Sequence, residues 1–442
     1  MEWALQQTSQ HPRLANSLVT ANGDWLDVLL DDGRTFRFRP GALIRRDAPL
    51  EQRTELLDRL IGIGIDGAEA ATVSEPGRAG EDGRAGEDGD PSPDLFSSDD
   101  ADGSYEPSGA SHPDYPADYT DGEGPIVPIV RSADYFLPAT PGADSIVYIP
   151  LTAFLAVGIA RDYPDTIQPI YYEQLEDSRE IGEIMSDAVM ALRFMTNDTQ
   201  QSVEIGITEI AGAEVMTFLQ PPNYELSWFA DLDMIQQVAE RISERRPDDI
   251  PLFIPASRTK LFIVFADDPH LADFFKLLLA QRNSEDAIYP LPHTVAADGW
   301  LEWQPFPGSE LAEVLGALRN YFRQKIYTAQ EDMMRQWPAF GKVKAFLPRR
   351  LASGERVSAA TWDAIDTHGS IPHTDFITFT RSPHPWEAVP AVNITVRTHV
   401  AREIWPAGIV EDDTVWPPRY GVTGFPDEET LRKLRDAADR RF

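Results

Sequence analysis

Apolar and polar residues along the first 65 positions sort into two strands and a helix. Residues 25–30 (Trp-Leu-Asp-Val-Leu-Leu) and 35–39 (Thr-Phe-Arg-Phe-Arg) are β-rich runs on either side of Asp31-Asp32-Gly33, which is hairpin chemistry. The period then changes to three and four. Leu50, Leu56, Leu57, Leu60 and Ile61 share one face of a helix expected over 49–61, with Pro49 in its first turn. Regular patterning returns near Ile126. Strands are expected over 145–150, 154–161 and 166–172, with Asp162-Tyr163-Pro164-Asp165 as a turn. A helix over 181–195 places Ile184, Met185, Ala188, Leu192 and Met195 on one face. Residues 203–209 and 214–219 read as a hairpin across Ala211-Gly212, and 232–246 as a helix stopped by Pro247. Strands over 252–254, 261–265 and 300–304 and helices over 271–279 and 310–334 follow. Past Trp337 the texture shifts to short strands and many prolines, closed by a helix over 427–441. The pattern predicts an α+β protein, with mixed or antiparallel sheets packed against helices and a smaller Trp/Pro-rich C-terminal module.

One stretch has no such pattern. Residues 66–124 hold 17 acidic side chains against Arg78 and Arg84, repeat Gly-Arg-Ala-Gly-Glu-Asp at 77–82 and 83–88, and are rich in Gly, Pro and Ser. A segment of that composition buries too little apolar surface to offset its ordering entropy, so a disordered acidic insert is expected. The organisation that follows is an N-terminal α/β unit (1–65) shared with the central core, the insert (66–124), a central α+β domain (125–335) and the C-terminal module (336–442).

Charge and composition narrow the function. The chain carries a net charge of −33, which disfavours nucleic acid and anionic lipid as partners. With no cysteine there are no disulfides, thiolate metal sites or cysteine nucleophiles. The longest apolar run, 146–160, is interrupted by Pro150 and Thr152 and is too short to span a bilayer. The first residues lack the charged start and apolar stretch of a signal peptide, so a cytoplasmic protein is expected.

Several stretches resemble an uncharacterised bacterial family, the YtpQ-like domain of unknown function. They are Phe36-Arg-Phe-Arg-Pro, Leu50-Glu-Gln-Arg-Thr-Glu-Leu-Leu-Asp-Arg-Leu, Tyr148-Ile-Pro-Leu-Thr-Ala-Phe-Leu-Ala-Val, Asp187-Ala-Val-Met-Ala-Leu and Pro255-Ala-Ser-Arg-Thr-Lys-Leu-Phe-Ile-Val. The resemblance covers roughly 20–65 and 125–285. It implies an α+β core that includes the N-terminal unit. It brings no activity, cofactor or site residue.

The chemistry-bearing residues give two readings. Gly62-Ile-Gly-Ile-Asp-Gly67 matches a dinucleotide fingerprint in letters, but it leaves a helix rather than a strand and is read as a glycine-rich helix stop. Asp267-Asp268-Pro269 is read as the start of the helix at 270, with Asp268 as N-cap and Pro269 in the first turn. Four of the eight histidines fall between 368 and 399, among Asp363, Asp366, Asp375 and Glu387. Imidazoles beside carboxylates suit a divalent metal, and His368, His373, Asp375 and His384 are the candidate ligands, although their spacing matches no known motif. Lys342, Lys344, Arg349 and Arg350 form a basic cluster suited to an anion or an acidic partner, or to a solvated face. Trp386, Trp405 and Trp416 each adjoin a proline, as partner anchors if exposed and module core if buried. No catalytic or cofactor-binding residue is assigned. The expectation is a non-enzymatic, chaperone- or adaptor-like protein that binds a protein or peptide; the alternative is a metal-dependent hydrolase using the 363–399 cluster.

Overall fold

The computed structural model describes the chain except residues 1, 23–24, 39, 41–49, 51–52, 55–56, 59, 63, 66–123, 139–143, 164–165, 176–178, 197–202, 298, 385–388 and 440–442. Residues 66–123 of the expected insert, half of the Gly62–Gly67 motif, Trp386, Glu387 and parts of the expected helices at 49–61 and 427–441 therefore lie outside the described residues. The fold is α+β, and the chain forms two compact units. One comprises 1–130, 160–168 and 182–304; the other comprises 131–159, 169–181 and 305–442.

Local turn chemistry sets the first unit's strands. β1 (Leu18–Asn22), β2 (Trp25–Leu29) and β3 (Thr35–Phe38) form an antiparallel meander. Gly33, at φ +88°, closes the β2–β3 turn by donating its N–H to Leu30 O at 3.0 Å. The chain then runs through β4 (Ile126–Ser132), β5 (Tyr148–Pro150), β6 (Leu155–Tyr163) and β7 (Thr166–Pro169) before re-entering this sheet. β8 (Ile205–Ile210) and β9 (Ala213–Phe218) are joined by Ala211 and Gly212, both at positive φ, the backbone a two-residue turn requires. A Cβ on Gly212 would lie 2.8 Å from the His270 ring, so glycine is needed there twice over. β10 (Pro251–Pro255) and β11 (Leu261–Phe265) are buried at every position, as uninterrupted apolar runs in mid-sheet should be. β12 (His293–Ala296) and β13 (Gly299–Glu302) complete nine strands in the order β1-β2-β3-β8-β9-β11-β10-β12-β13.

The N-terminal residues are part of this sheet. Phe38 of β3 pairs with Thr208 of β8, and Leu57, Leu60 and Ile61 share a core cluster with Leu26, Phe36, Phe38 and Leu219. Ile61 is fully buried, so Ile61→Val should cost about 0.5–1.5 kcal/mol, read as a lowered urea midpoint. No change would mean that this cluster adds little to the sheet.

Two expectations change here. Asp268 is not the cap of the following helix, which runs Leu271–Ala280 with His270 at its cap position. Its carboxylate instead accepts N–H groups from His270 (2.8 Å) and Glu214 (3.1 Å), tying the turn to the β8–β9 hairpin. The cap that does form nearby is Asp231, which accepts from Met234 N–H at 3.1 Å and from Arg193 Nε and Nη2, both at 2.6 Å.

In the second unit the helix Glu310–Met334, expected in a central domain ending at 335, belongs with the C-terminal residues. The boundary at 335/336 is therefore corrected. The helix has buried polar positions, Asn320 and Gln330, whose partners lie further along the chain: Asn320 donates to Val357 O at 3.1 Å and Gln330 to Pro417 O at 2.7 Å. A polar helix residue that is buried must find such partners, and they draw the helix to this module. β14 (Lys342–Val343), β17 (His368–Pro372), β20 (Ile409–Asp412) and β21 (Arg419–Thr423) form one sheet in the order β14-β17-β21-β20. β15 (Leu347–Arg350), β16 (Arg356–Asp363), β18 (Phe376–Arg381) and β19 (Val392–Arg397) form another in the order β15-β16-β18-β19. Trp362, Ile371, Ile377, Phe379, Val396, Val422, Leu431 and Leu434 form the main core cluster. Among the described residues, no helix is long and apolar enough to cross a membrane.

Candidate functional site

The sequence-selected histidines are dispersed by strand order. β17 leaves its sequence neighbours and joins the other sheet, so His368 and the residue just after Pro372, His373, stand at its two ends. His368 is exposed and packs on Gly341, where an added Cβ would lie 2.6 Å from the ring. Asp375 turns to β16, accepting from Ser358 N–H and Oγ, both at 2.7 Å. His384 is exposed beyond β18, and His399 is exposed on the helix Thr398–Ile404. Among the described residues no three His, Asp or Glu side chains converge as metal ligands. The basic cluster separates as well. Lys342 and Lys344 lie on or beside β14, whereas Arg349 and Arg350 lie on β15 in the other sheet. Lys344 is committed to Asp366 at 2.5 Å and to the face of Trp362. The tryptophans are mainly packed. Trp362 is buried and donates to Gly424 O, Trp405 packs on the main cluster, and Trp416 donates to Thr152 O; among the described C-terminal tryptophans, Trp337 is the exposed one.

What the structure does assemble is a polar constellation around β21 and β20. Arg419 is fully buried. Its Nε donates to Ser370 Oγ (3.0 Å), Nη1 to Gln330 Oε1 (3.1 Å) and Nη2 to Lys344 O (2.5 Å) and Ser370 O (3.5 Å). The guanidinium also lies over the Tyr327 ring. Burial lowers its pKa to about 10, against the attraction of Tyr327, Glu331 and Asp412. The same helix face holds the preceding loop: Tyr327 Oη donates to Pro418 O (2.9 Å) and Gln330 Nε2 to Pro417 O (2.7 Å). Burial likewise raises the Tyr327 hydroxyl to about 12.

One residue along, Tyr420 carries the His373 ring stacked at 4.1 Å. Desolvation depresses the His373 pKa to about 4, opposed by Glu411 and assisted by Arg402 and Arg323. Arg402 reaches Tyr420 Oη (3.3 Å) and Glu411 Oε2 (3.2 Å), while Glu411 Oε1 lies 4.0 Å from His373 Nε2. The constellation thus fixes β21 from one side and the Glu411 side chain of β20 from the other.

β20 ends the sheet. Thr423 N–H donates to Gly408 O, and Ile409 pairs with Val422, so Val410 and Asp412 face β21 through their backbone groups. By the antiparallel alternation, the Glu411 N–H and C=O point away from β21. Val410 lies opposite Gly421, which has no side chain to cover it, and is 56% exposed. No sequence signal marked this place; a four-residue strand between loops, Ile-Val-Glu-Asp, shows its edge position only through pairing. No protein-family model, no curated protein and no solved structure matches the chain, and the likeness to the YtpQ-like family rests on the stretches quoted above.

Proposed function

We propose that the protein binds an extended segment of a partner protein by strand addition at β20. The observation that carries this is the outward-facing backbone of Glu411 beside the uncovered Val410, on a strand held rigid from behind. Strand addition draws affinity from main-chain hydrogen bonds and specificity from alternate side chains, and preorganisation lowers its entropic cost. The other edges of these two four-stranded sheets are less fit. On β15, Leu351 N–H donates to Glu355 O and Arg349 pairs with Val357, which turns Pro348, with no N–H, to the open side. On β19, Asp439 N–H already donates to Thr395 O at 2.9 Å. β14 is two residues long.

The test uses a fluorescent synthetic peptide alternating valine and lysine, with amide exchange read on the unaltered protein. Bound peptide is expected to slow exchange at Glu411. Glu411→Pro, which removes an edge N–H without breaking the β20–β21 ladder, is expected to abolish binding while the melting temperature stays close to that of the parent. Binding that leaves Glu411 exchange untouched and survives Glu411→Pro would overturn the proposal.

A further inference from the structure

The charge around the edge specifies what kind of segment it takes. Resting on the strand-addition reading, we infer that the partner at β20 is a cationic segment, with Lys or Arg alternating with β-branched apolar residues. Val410 offers an apolar contact on one face of the strand, and the next position, Glu411, places a carboxylate on the other. Asp412 and Asp413 extend the negative charge at the strand's end.

The positive groups nearby do not cancel this charge. Arg419 is buried and held by Ser370, Gln330 and Lys344 O. His373 is neutral at physiological pH, its pKa lying near 4. Arg402 pairs with one oxygen of Glu411, and the Glu411 side chain remains 50% exposed. A carboxylate so placed accepts a second cation from solvent. The chain's net charge of −33 acts in the same sense at longer range, steering a basic segment inward and repelling an acidic one. Alternation completes the match. On a strand added to the edge, one face carries side chains toward Val410 and the other toward Glu411, so apolar and cationic residues must alternate.

Three synthetic peptides decide it, all with valine at alternate positions and with lysine, serine or glutamate between. Anisotropy titrations against the full chain are expected to show the lysine peptide binding about tenfold tighter than the serine peptide, as a few screened charge pairs supply, with the glutamate peptide weakest. Added salt should narrow the gap. Asp413→Asn should weaken the lysine peptide and leave the serine peptide unchanged. Equal affinity of all three peptides, with Glu411 still protected from exchange, would overturn the cationic preference and leave strand addition standing. Lysine-peptide binding that survives Glu411→Pro would place the cations elsewhere on this acidic chain and overturn both.

Discussion

Replacing Arg419 with methionine is expected to cost about 3–5 kcal/mol of unfolding free energy, the sum for a few buried acceptors that lose their donor at about 1–3 kcal/mol each. The side chain is fully buried, and no carboxylate pairs with it among the described residues, so removing the charge relieves a desolvation cost. That gain is outweighed by what is left behind. Gln330 Oε1, Ser370 Oγ and Lys344 O all lose a donor inside the unit, while Ser370 O keeps the Lys344 N–H at 2.9 Å. Each orphaned acceptor costs about 1–3 kcal/mol, and Gln330 and Ser370 can recover part of it by turning toward each other. Arg419→Lys should restore little, because one ammonium cannot serve acceptors spread around a planar fork. Denaturant unfolding of the two variants provides the measurement. A loss under about 1 kcal/mol for methionine would show that the network is dispensable to the fold. The same variants should weaken peptide capture at β20, because β21 is the strand against which that edge is held.

Much of the fold was legible because its signals are local. Asp31-Asp32-Gly33 and Ala211-Gly212 dictate turns irrespective of what packs on them, and 251–255 and 261–265 are apolar enough to be buried strands anywhere. Where tertiary contacts decide, the reading shifts. Asp268 has the chemistry of a cap, yet the N–H of Glu214, 54 positions away, takes part of its carboxylate and the helix begins later. The helix 310–334 was found, but its allegiance depends on Gln330 and Tyr327 meeting Pro417 and Pro418, some 90 positions on.

The site was illegible for a related reason. In sequence, Pro417-Pro418-Arg419-Tyr420 resembles an exposed basic turn, and only acceptors on three distant residues make Arg419 an interior residue. The histidines erred in the opposite direction. Closeness along the chain suggested a cluster, but β16 pairs in parallel with β18 and sends β17 to another sheet. His368 and His373 then stand at opposite ends of β17, while Asp375 and His384 flank β18 in the other sheet.

Between about pH 7 and pH 4 the His373→Phe variant is expected to lose about 3 kcal/mol less stability than the parent. The His373 side chain is 26% exposed, and its buried Nε2 has no hydrogen-bond acceptor among the described residues. Burial is the main reason its pKa falls from 6.5 to about 4 in the folded chain. The sign follows from which state takes the proton first. Because the folded pKa is the lower, the unfolded chain binds the proton as pH drops below 6.5, and stability present above that value is lost on the way down to 4. A shift of about 2.5 pH units at 1.36 kcal/mol each sets the total at about 3 kcal/mol. Phenylalanine keeps a ring on Tyr420 and removes the titration, so acid losses from carboxylates elsewhere cancel in the difference. Thermal unfolding of the two proteins across this range gives the comparison, and parallel curves would mean that His373 is protonated freely in the folded state. Such a result would also change the reading of β20, since a charged imidazole 4.0 Å from Glu411 would offset the carboxylate offered to a cationic partner.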